Sequence, residues 1–287
     1  MTKPFYLTDE ILSQFIESAL AEDIGEGDHS SLGAVPSDLI SKAKLVIKAD
    51  GIIAGLDLAE KIFKKFDSTL SISFHKKDGD AIKQGEIAFV VEGSARSILT
   101  TERLVLNCLQ RMSGIATYTH TLCSLIKDLP TQIMDTRKTT PNFRVCEKWA
   151  VSIGGGLNHR YALYDMVMLK DNHIDMAGGI KNAIVSTQAY LQSQNKKLKI
   201  EVETRTIEEV KEVLLVGGID TIMLDNMSLA EMKTAVALIN GKFKTEASGG
   251  INESTIREVA LCGVDYISVG ALTHSVKSLD LSLKVFK

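Results

Sequence analysis

The sequence has 287 residues, with 33 Lys and Arg against 36 Asp and Glu, a net charge of −3 at neutral pH, and 45% hydrophobic and 24% charged residues. That is the balance of an ordinary globular chain long enough to bury a sizeable core, in one large α/β domain or two smaller ones. It excludes the basic footprint of a general nucleic-acid or membrane-surface binder, so any anion site must be local.

The opening residues reach acidic groups before an apolar signal region can form, and no run approaches the roughly 18 apolar residues of a spanning helix. The sequence therefore predicts a chain that is neither secreted nor membrane-inserted. Thr8 is placed to cap a helix whose apolar residues Ile11, Leu12, Phe15, Ile16, Ala19 and Leu20 recur at helical spacing until Gly25. The turn formers and acidic groups of Asp23 to Ser31 read as a solvated loop. From Ala43 to Leu99 short alternating runs at 44–48, 70–74 and 87–93 predict strands, with a helix near Leu58 to Phe66 and turns at Asp50-Gly51, Asp78-Gly79-Asp80 and Gln84-Gly85. Thr100 to Lys127 predicts one long linking helix, or a helix broken at Gly114. Arg103 and Arg111 lie about two turns apart on it, each as a solvated or salt-bridged surface group. Cys108, Cys123, Cys146 and Cys262 form no CxxC pair and sit in apolar stretches, so they predict free thiols in a reducing cytoplasm.

After Pro130 the pattern becomes strand-then-helix, with strands predicted near Gln132–Asp135, Met166–Lys170, Lys199–Thr204, Thr221–Asp225, Lys244–Ser248 and Tyr266–Gly270. Helical stretches at Thr206–Val216, Ser228–Ile239 and Asn252–Cys262 separate the later ones. Repeated βα units with strands apolar on both faces predict a parallel sheet, and the absence of a single Rossmann glycine fingerprint favours an α/β barrel. Asp135, Arg137, Lys170, Asp171, Glu203, Asp225, Ser248 and Gly270 all fall at or just beyond strand C-termini, the rim where barrel enzymes carry out their chemistry.

The segments Asp135-Thr136-Arg137-Lys138-Thr139-Thr140-Pro141, Gly154-Gly155-Gly156-Leu157-Asn158-His159-Arg160 and Asp165-Met166-Val167-Met168-Leu169-Lys170-Asp171-Asn172-His173 gather cations. Arg137, Lys138, His159, Arg160 and Lys170 would repel one another without an anionic partner, and guanidinium groups take carboxylates bidentately. Glu203 and Asp225 form an acidic half suited to ribose hydroxyls or Mg²⁺. Ser248-Gly249-Gly250, ahead of a helix expected near Glu253, and Val269-Gly270-Ala271 form a phosphate cradle of close backbone and a helix N-terminus. A di-acid pocket beside such a cradle points to transfer of a phosphorylated sugar.

The three motif segments resemble the quinolinate phosphoribosyltransferase family, and the similarity runs over nearly the whole chain. The resemblance implies an incomplete TIM-like α/β barrel over 114–275 and an N-terminal α+β sandwich domain over 1–113 joined by 276–287. It implies transfer from 5-phosphoribosyl 1-pyrophosphate to quinolinate with loss of CO2, in NAD biosynthesis. Arg137, His159, Arg160 and Lys170 would hold quinolinate, joined by Arg103 from a partner subunit of a homodimer. Lys138, Glu203, Asp225, Ser248, Gly249, Gly270 and His274 would hold the phosphoribosyl donor, with Glu203 and Asp225 at Mg²⁺; Lys138, Lys170, Glu203 and Asp225 would be the catalytic set. Asn142 and Phe143 depart from the glycine and leucine common after the TTP of this family, and Trp149 from a usual tyrosine. Two other readings stay open on the residues, a paralogue linked to molybdate transport and a Schiff-base aldolase using Lys170.

Overall fold

A computed structural model describes residues 4–286, so Met1 to Lys3, where the reading of the N-terminus begins, and Lys287 lie outside the described residues. The chain forms two compact units. The first comprises Met1–His120, Lys138–Gly155 and Leu272–Lys287, and the second Thr121–Arg137 and Gly156–Ala271.

The first unit contains β1 (Ile40–Ile47), β2 (Gly51–Ile52), β3 (Ser71–Phe74), β4 (Ala81–Ile82) and β5 (Ile87–Ser94), and the end of the chain returns to it. The second unit contains β6 (Gln132–Met134), β7 (Val167–Leu169), β8 (Ile200–Thr204), β9 (Thr221–Asp225), β10 (Lys244–Ser248) and β11 (Tyr266–Ser268), and the returning strand is β12 (Leu281–Phe286).

In the first unit the main sheet runs β12-β1-β5-β3, every pair antiparallel, with Leu45 opposite Leu283. The opening helix spans Asp9–Ile24, and Thr8 caps it by accepting the Ile11 N–H at 3.2 Å. Where the sequence predicted a solvated loop, a short helix forms over His29–Ala34, because Asp28 accepts from the Ser31 N–H at 3.1 Å and supplies the missing cap. Helix Leu56–Phe66 buries Leu56, Leu58, Ala59, Ile62 and Phe63, one apolar stripe. Its own N-cap, Gly55, has no side chain. Asp78 takes over that role from a distant turn, accepting the Leu56 N–H at 2.9 Å, and burial pushes its carboxyl up to about 6.

The long helix, Ala95–Leu125, passes through Gly114 without a break. A Cβ at that position would sit 2.2 Å from the Lys277 carbonyl oxygen, so the glycine allows close backbone approach rather than ending the helix.

The six strands of the second unit are all parallel and lie in the order β6-β11-β10-β9-β8-β7. Read from β7, each strand is added beside its predecessor until β6 closes on β11, which is the winding of an α/β barrel. Among the described residues β6 and β7 do not pair, and Leu157 makes only an isolated parallel bridge to Met134. The barrel is therefore incomplete, as the resemblance implies. Helices Ile180–Ser193, Ile207–Val216, Leu229–Ile239 and Ile256–Ala260 follow strands in turn, and Ser228 and Glu231 close a reciprocal capping box on the third. All five residues of β8 are buried, consistent with a strand covered on both faces. Parallel strands deliver their C-terminal ends to one rim, and that geometry gathers Asp135, Lys170, Glu203, Asp225, Ser248 and Gly270.

No helix among the described residues is long and apolar enough to cross a membrane. All four cysteines are free thiols, with Cys108, Cys146 and Cys262 buried.

Candidate active site

The site in the second unit is built on Asp135, immediately after β6 and wholly buried. Its Oδ1 accepts the His159 N–H at 2.9 Å and its Oδ2 accepts from Asn158 Nδ2 at 2.7 Å. The first cationic motif thus fixes the backbone of the second. Asp165 tightens the next turn, accepting from the backbone N–H groups of Tyr161 and Ala162 at 2.7 Å each. Between these two braces stands Arg160, whose Nη1 donates to the Met166 carbonyl at 3.3 Å. Burial lowers the Arg160 pKa, and the neighbouring charge of Arg137 lowers it further. Two guanidinium groups this close are suited in charge to an anion between them.

Two residues that the sequence reading passed over lie beneath them. His159 Nε2 is 2.7 Å from Glu201 Oε2 and 3.5 Å from Glu246 Oε2, with both carboxyl groups inside the barrel. His159 Nδ1 accepts the Arg160 N–H at 2.8 Å, which leaves the ring proton on Nε2 and directs it at Glu201. Burial raises both acids, Glu201 to about 7 and Glu246 to about 8, and the Glu201 charge adds to the shift at Glu246. These three side chains are close enough to share a metal ion. The 2.7 Å separation is nevertheless that of a hydrogen bond, and the charges of Arg160 and Lys170 that face Glu201 oppose a further cation. The arrangement orients the imidazole. A signal for it was present in the sequence, because Glu201 and Glu203 alternate within a strand buried on both faces, and so both point inward.

The acidic half is Glu203, on β8, and Asp225, which ends the neighbouring β9. Glu203 is raised first by burial and next by the Asp225 charge, while Asp171 N–H donates to it at 3.4 Å. Lys170 is exposed at the end of β7, and its backbone N–H donates to His173 Nδ1 at 3.0 Å. Ser248 lies beside Asp225 in register. Gly249 has φ +104°, and a Cβ there would fall 2.1 Å from Asn226 Oδ1, so only glycine fits. The following helix starts at Ile256 rather than near Glu253, because Asn252 draws Ser254 into a side-chain turn, its Oδ1 accepting the Ser254 N–H at 2.9 Å. The cradle at Ser248-Gly249 is therefore backbone and hydroxyl, without a helix N-terminus directly behind it.

Arg103, Lys138 and His274 belong to the first unit. Arg103 is exposed on helix Ala95–Leu125 and makes no ion pair with another described residue. Lys138 is exposed, and its carbonyl accepts from Thr273 Oγ1 at 2.8 Å. His274 is exposed, with Nδ1 2.5 Å from Ser275 Oγ. Arg111, read from sequence as a solvated or salt-bridged surface group, is salt-bridged, and its partner is the wholly buried Glu147 at 2.9 Å.

Models of the quinolinate phosphoribosyl transferase N-terminal and C-terminal domains match residues 28–113 and 115–284. The chain belongs to the quinolinate phosphoribosyltransferase family. A chloroplastic nicotinate-nucleotide pyrophosphorylase (carboxylating) of Arabidopsis thaliana is 48% identical, over 96% of this chain and 82% of that one. A probable nicotinate-nucleotide pyrophosphorylase (carboxylating) of Bacillus subtilis is 41% identical, over 96% and 93%. The crystal structure of NadC from Streptococcus pyogenes superposes with a TM-score of 0.91 at 39% identity, covering 98% of this chain and 99% of that one. Against the family pattern, Asn142 stands where glycine is common and adopts φ 60°, the left-handed conformation that asparagine tolerates best after glycine. Phe143, in place of leucine, packs its ring 5.5 Å from that of Phe15.

Proposed function

We propose that this enzyme transfers the phosphoribosyl group of 5-phosphoribosyl 1-pyrophosphate to the nitrogen of quinolinate and releases the 2-carboxylate as CO2, forming nicotinate mononucleotide and pyrophosphate. The observation that carries this reading is the pair Arg137 and Arg160, with burial and then the Arg137 charge lowering the Arg160 pKa, at the rim that also holds Glu203, Asp225 and Ser248-Gly249. Arg137, His159, Arg160 and Lys170 hold the two carboxylates of quinolinate. Ser248, Gly249 and Gly270 meet the ribose phosphate, and Lys138 and His274 add cationic charge to the phosphates.

Two neighbouring carboxyl groups of which one is raised by burial and by the other's charge fit a hard, oxygen-seeking cation, so Glu203 and Asp225 would hold Mg²⁺ together with donor oxygens. When bound, the ion neutralises charge on the departing pyrophosphate. The chain's own part is positioning and electrostatics, and no nucleophilic side chain is required. Cleavage at the anomeric carbon leaves an oxocarbenium-like ribose, which the pyridine nitrogen attacks while Arg137 and Arg160 fix the ring. The new ring cation then stabilises the carbanion formed as CO2 leaves, and that carbon takes up a proton to give nicotinate mononucleotide.

Arg103 reaches the site of a second copy, making the active unit a homodimer, and four free thiols suit a cytoplasmic setting. The family match and the complete cation set weigh against molybdate transport and against a Schiff base on Lys170. Incubation with quinolinate, phosphoribosyl pyrophosphate and Mg²⁺ yields nicotinate mononucleotide on this reading. Product from nicotinate and none from quinolinate would overturn it.

A further inference from the structure

Six residues of the first unit form a polar network, of which the reaction as described uses only Lys138. Glu147 is wholly buried on helix Arg144–Ile153, and its Oε1 accepts from Arg111 Nε at 3.1 Å and Nη2 at 2.9 Å. Thr140 completes the carboxylate, its N–H donating to Oε2 at 2.9 Å and its Oγ1 donating to Oε1 at 3.0 Å. The rest of the Arg111 fork turns to the chain's last segment, Nη1 donating to the Val276 carbonyl at 2.9 Å and Nη2 to the Thr273 carbonyl. Thr273 Oγ1 then donates to the Lys138 carbonyl at 2.8 Å and closes the ring.

The network therefore grips both sides of two exposed cations. Lys138 lies between its own anchored carbonyl and the anchored Thr140, and His274 between the anchored residues 273 and 276. Burying an ion pair gains little stability over an apolar pair of the same volume, since desolvation offsets the attraction. What a guanidinium supplies in addition is fixed direction, several donors in one plane aimed at two separate segments.

We propose that Arg111 and Glu147 are positioning residues that set Lys138 and His274 at the spacing required by the phosphates of the phosphoribosyl donor. This rests on the assignment of Lys138 and His274 to that donor. Neither Arg111 nor Glu147 touches substrate. Their effect is specific to one of the two substrates.

The test is steady-state kinetics and calorimetry on Arg111→Lys, Glu147→Gln and the milder Thr273→Val, with Leu45→Ala, a core truncation in the same unit, as a control for general destabilisation. Arg111→Lys keeps the charge and loses the fork, so kcat/KM for phosphoribosyl pyrophosphate should fall on the order of 10²-fold, the effect of a misplacement of about 1 Å. Quinolinate affinity should stay within about twofold of wild type, and Thr273→Val should move the same parameter by less. Leu45→Ala should lower thermal stability without separating the two substrates. Equal losses for both substrates in Arg111→Lys and Thr273→Val, or an unchanged donor KM, would overturn the proposal. If wild-type protein binds no phosphoribosyl pyrophosphate, the functional reading fails and the positioning role with it. Normal donor binding by wild type and by all three network variants removes the positioning role alone.

Discussion

Asp135 and His159, 24 residues apart, are joined by a 2.9 Å hydrogen bond in which the buried Asp135 carboxylate accepts the His159 N–H. The bond turns two separate sequence motifs into one surface, because the same carboxylate also accepts from Asn158. Asp135→Ala removes the carboxylate that both donors share, at about 1–3 kcal/mol for each lost bond, and loosens the Arg160 segment. The expected result is a protein destabilised by about 2–6 kcal/mol in urea unfolding whose quinolinate affinity falls with it. Full quinolinate binding in a folded Asp135→Ala protein would remove the bracing role.

Arg137→Ala or Arg160→Ala should weaken quinolinate binding by about 2–5 kcal/mol, the cost of leaving one substrate carboxylate without its charged partner. Phosphoribosyl pyrophosphate binding should barely change. Calorimetry with each ligand separately decides this, and equal losses for both ligands would show that the two halves of the site are wrongly divided.

Arg103→Ala and Lys170→Ala should each be nearly inactive, the first lacking a donated cation and the second a resident one. Refolded together, they form mixed dimers with one intact site, and random pairing gives recovery to roughly a quarter of the wild-type rate. Size-exclusion of differently tagged chains establishes that mixed dimers form. Mixed dimers as inactive as either parent would place Arg103 outside the partner's site.

Asp78 couples the cap of helix Leu56–Phe66 to pH. Its folded-state pKa is raised to about 6, chiefly by burial, above the ordinary 3.8, so its contribution to stability is fully present below about pH 3.8 and is lost as pH rises through about 6. Over that window wild type should lose about 2–3 kcal/mol relative to Asp78→Asn, which keeps an acceptor but does not titrate. Denaturant midpoints of both proteins at pH 4, 5, 6 and 7, values chosen to span this range, give the difference directly. Parallel pH profiles would show that the Asp78 carboxyl does not titrate there.

The amino-acid sequence by itself determined the parallel barrel and the rim on which its polar residues meet. Apolar periodicity fixes where buried strands run, and a charged residue directly after such a strand can lie only where the strand leaves the core. The placing of Asp135, Lys170, Glu203 and Asp225 at strand C-terminal ends was legible for that reason. The partners of Arg111 were not legible, because an arginine on an amphipathic helix has the same local pattern whether it faces water or a buried carboxylate 36 residues away. The same holds for Glu246, whose position 87 residues beyond His159 has no expression in spacing. The unbroken helix through Gly114 and the capping of Leu56 by Asp78 were likewise decided only when distant backbone came within contact. Periodicity reports which face of an element is buried, whereas the identity of what it is buried against is set by long-range packing, and that exists only in the folded chain.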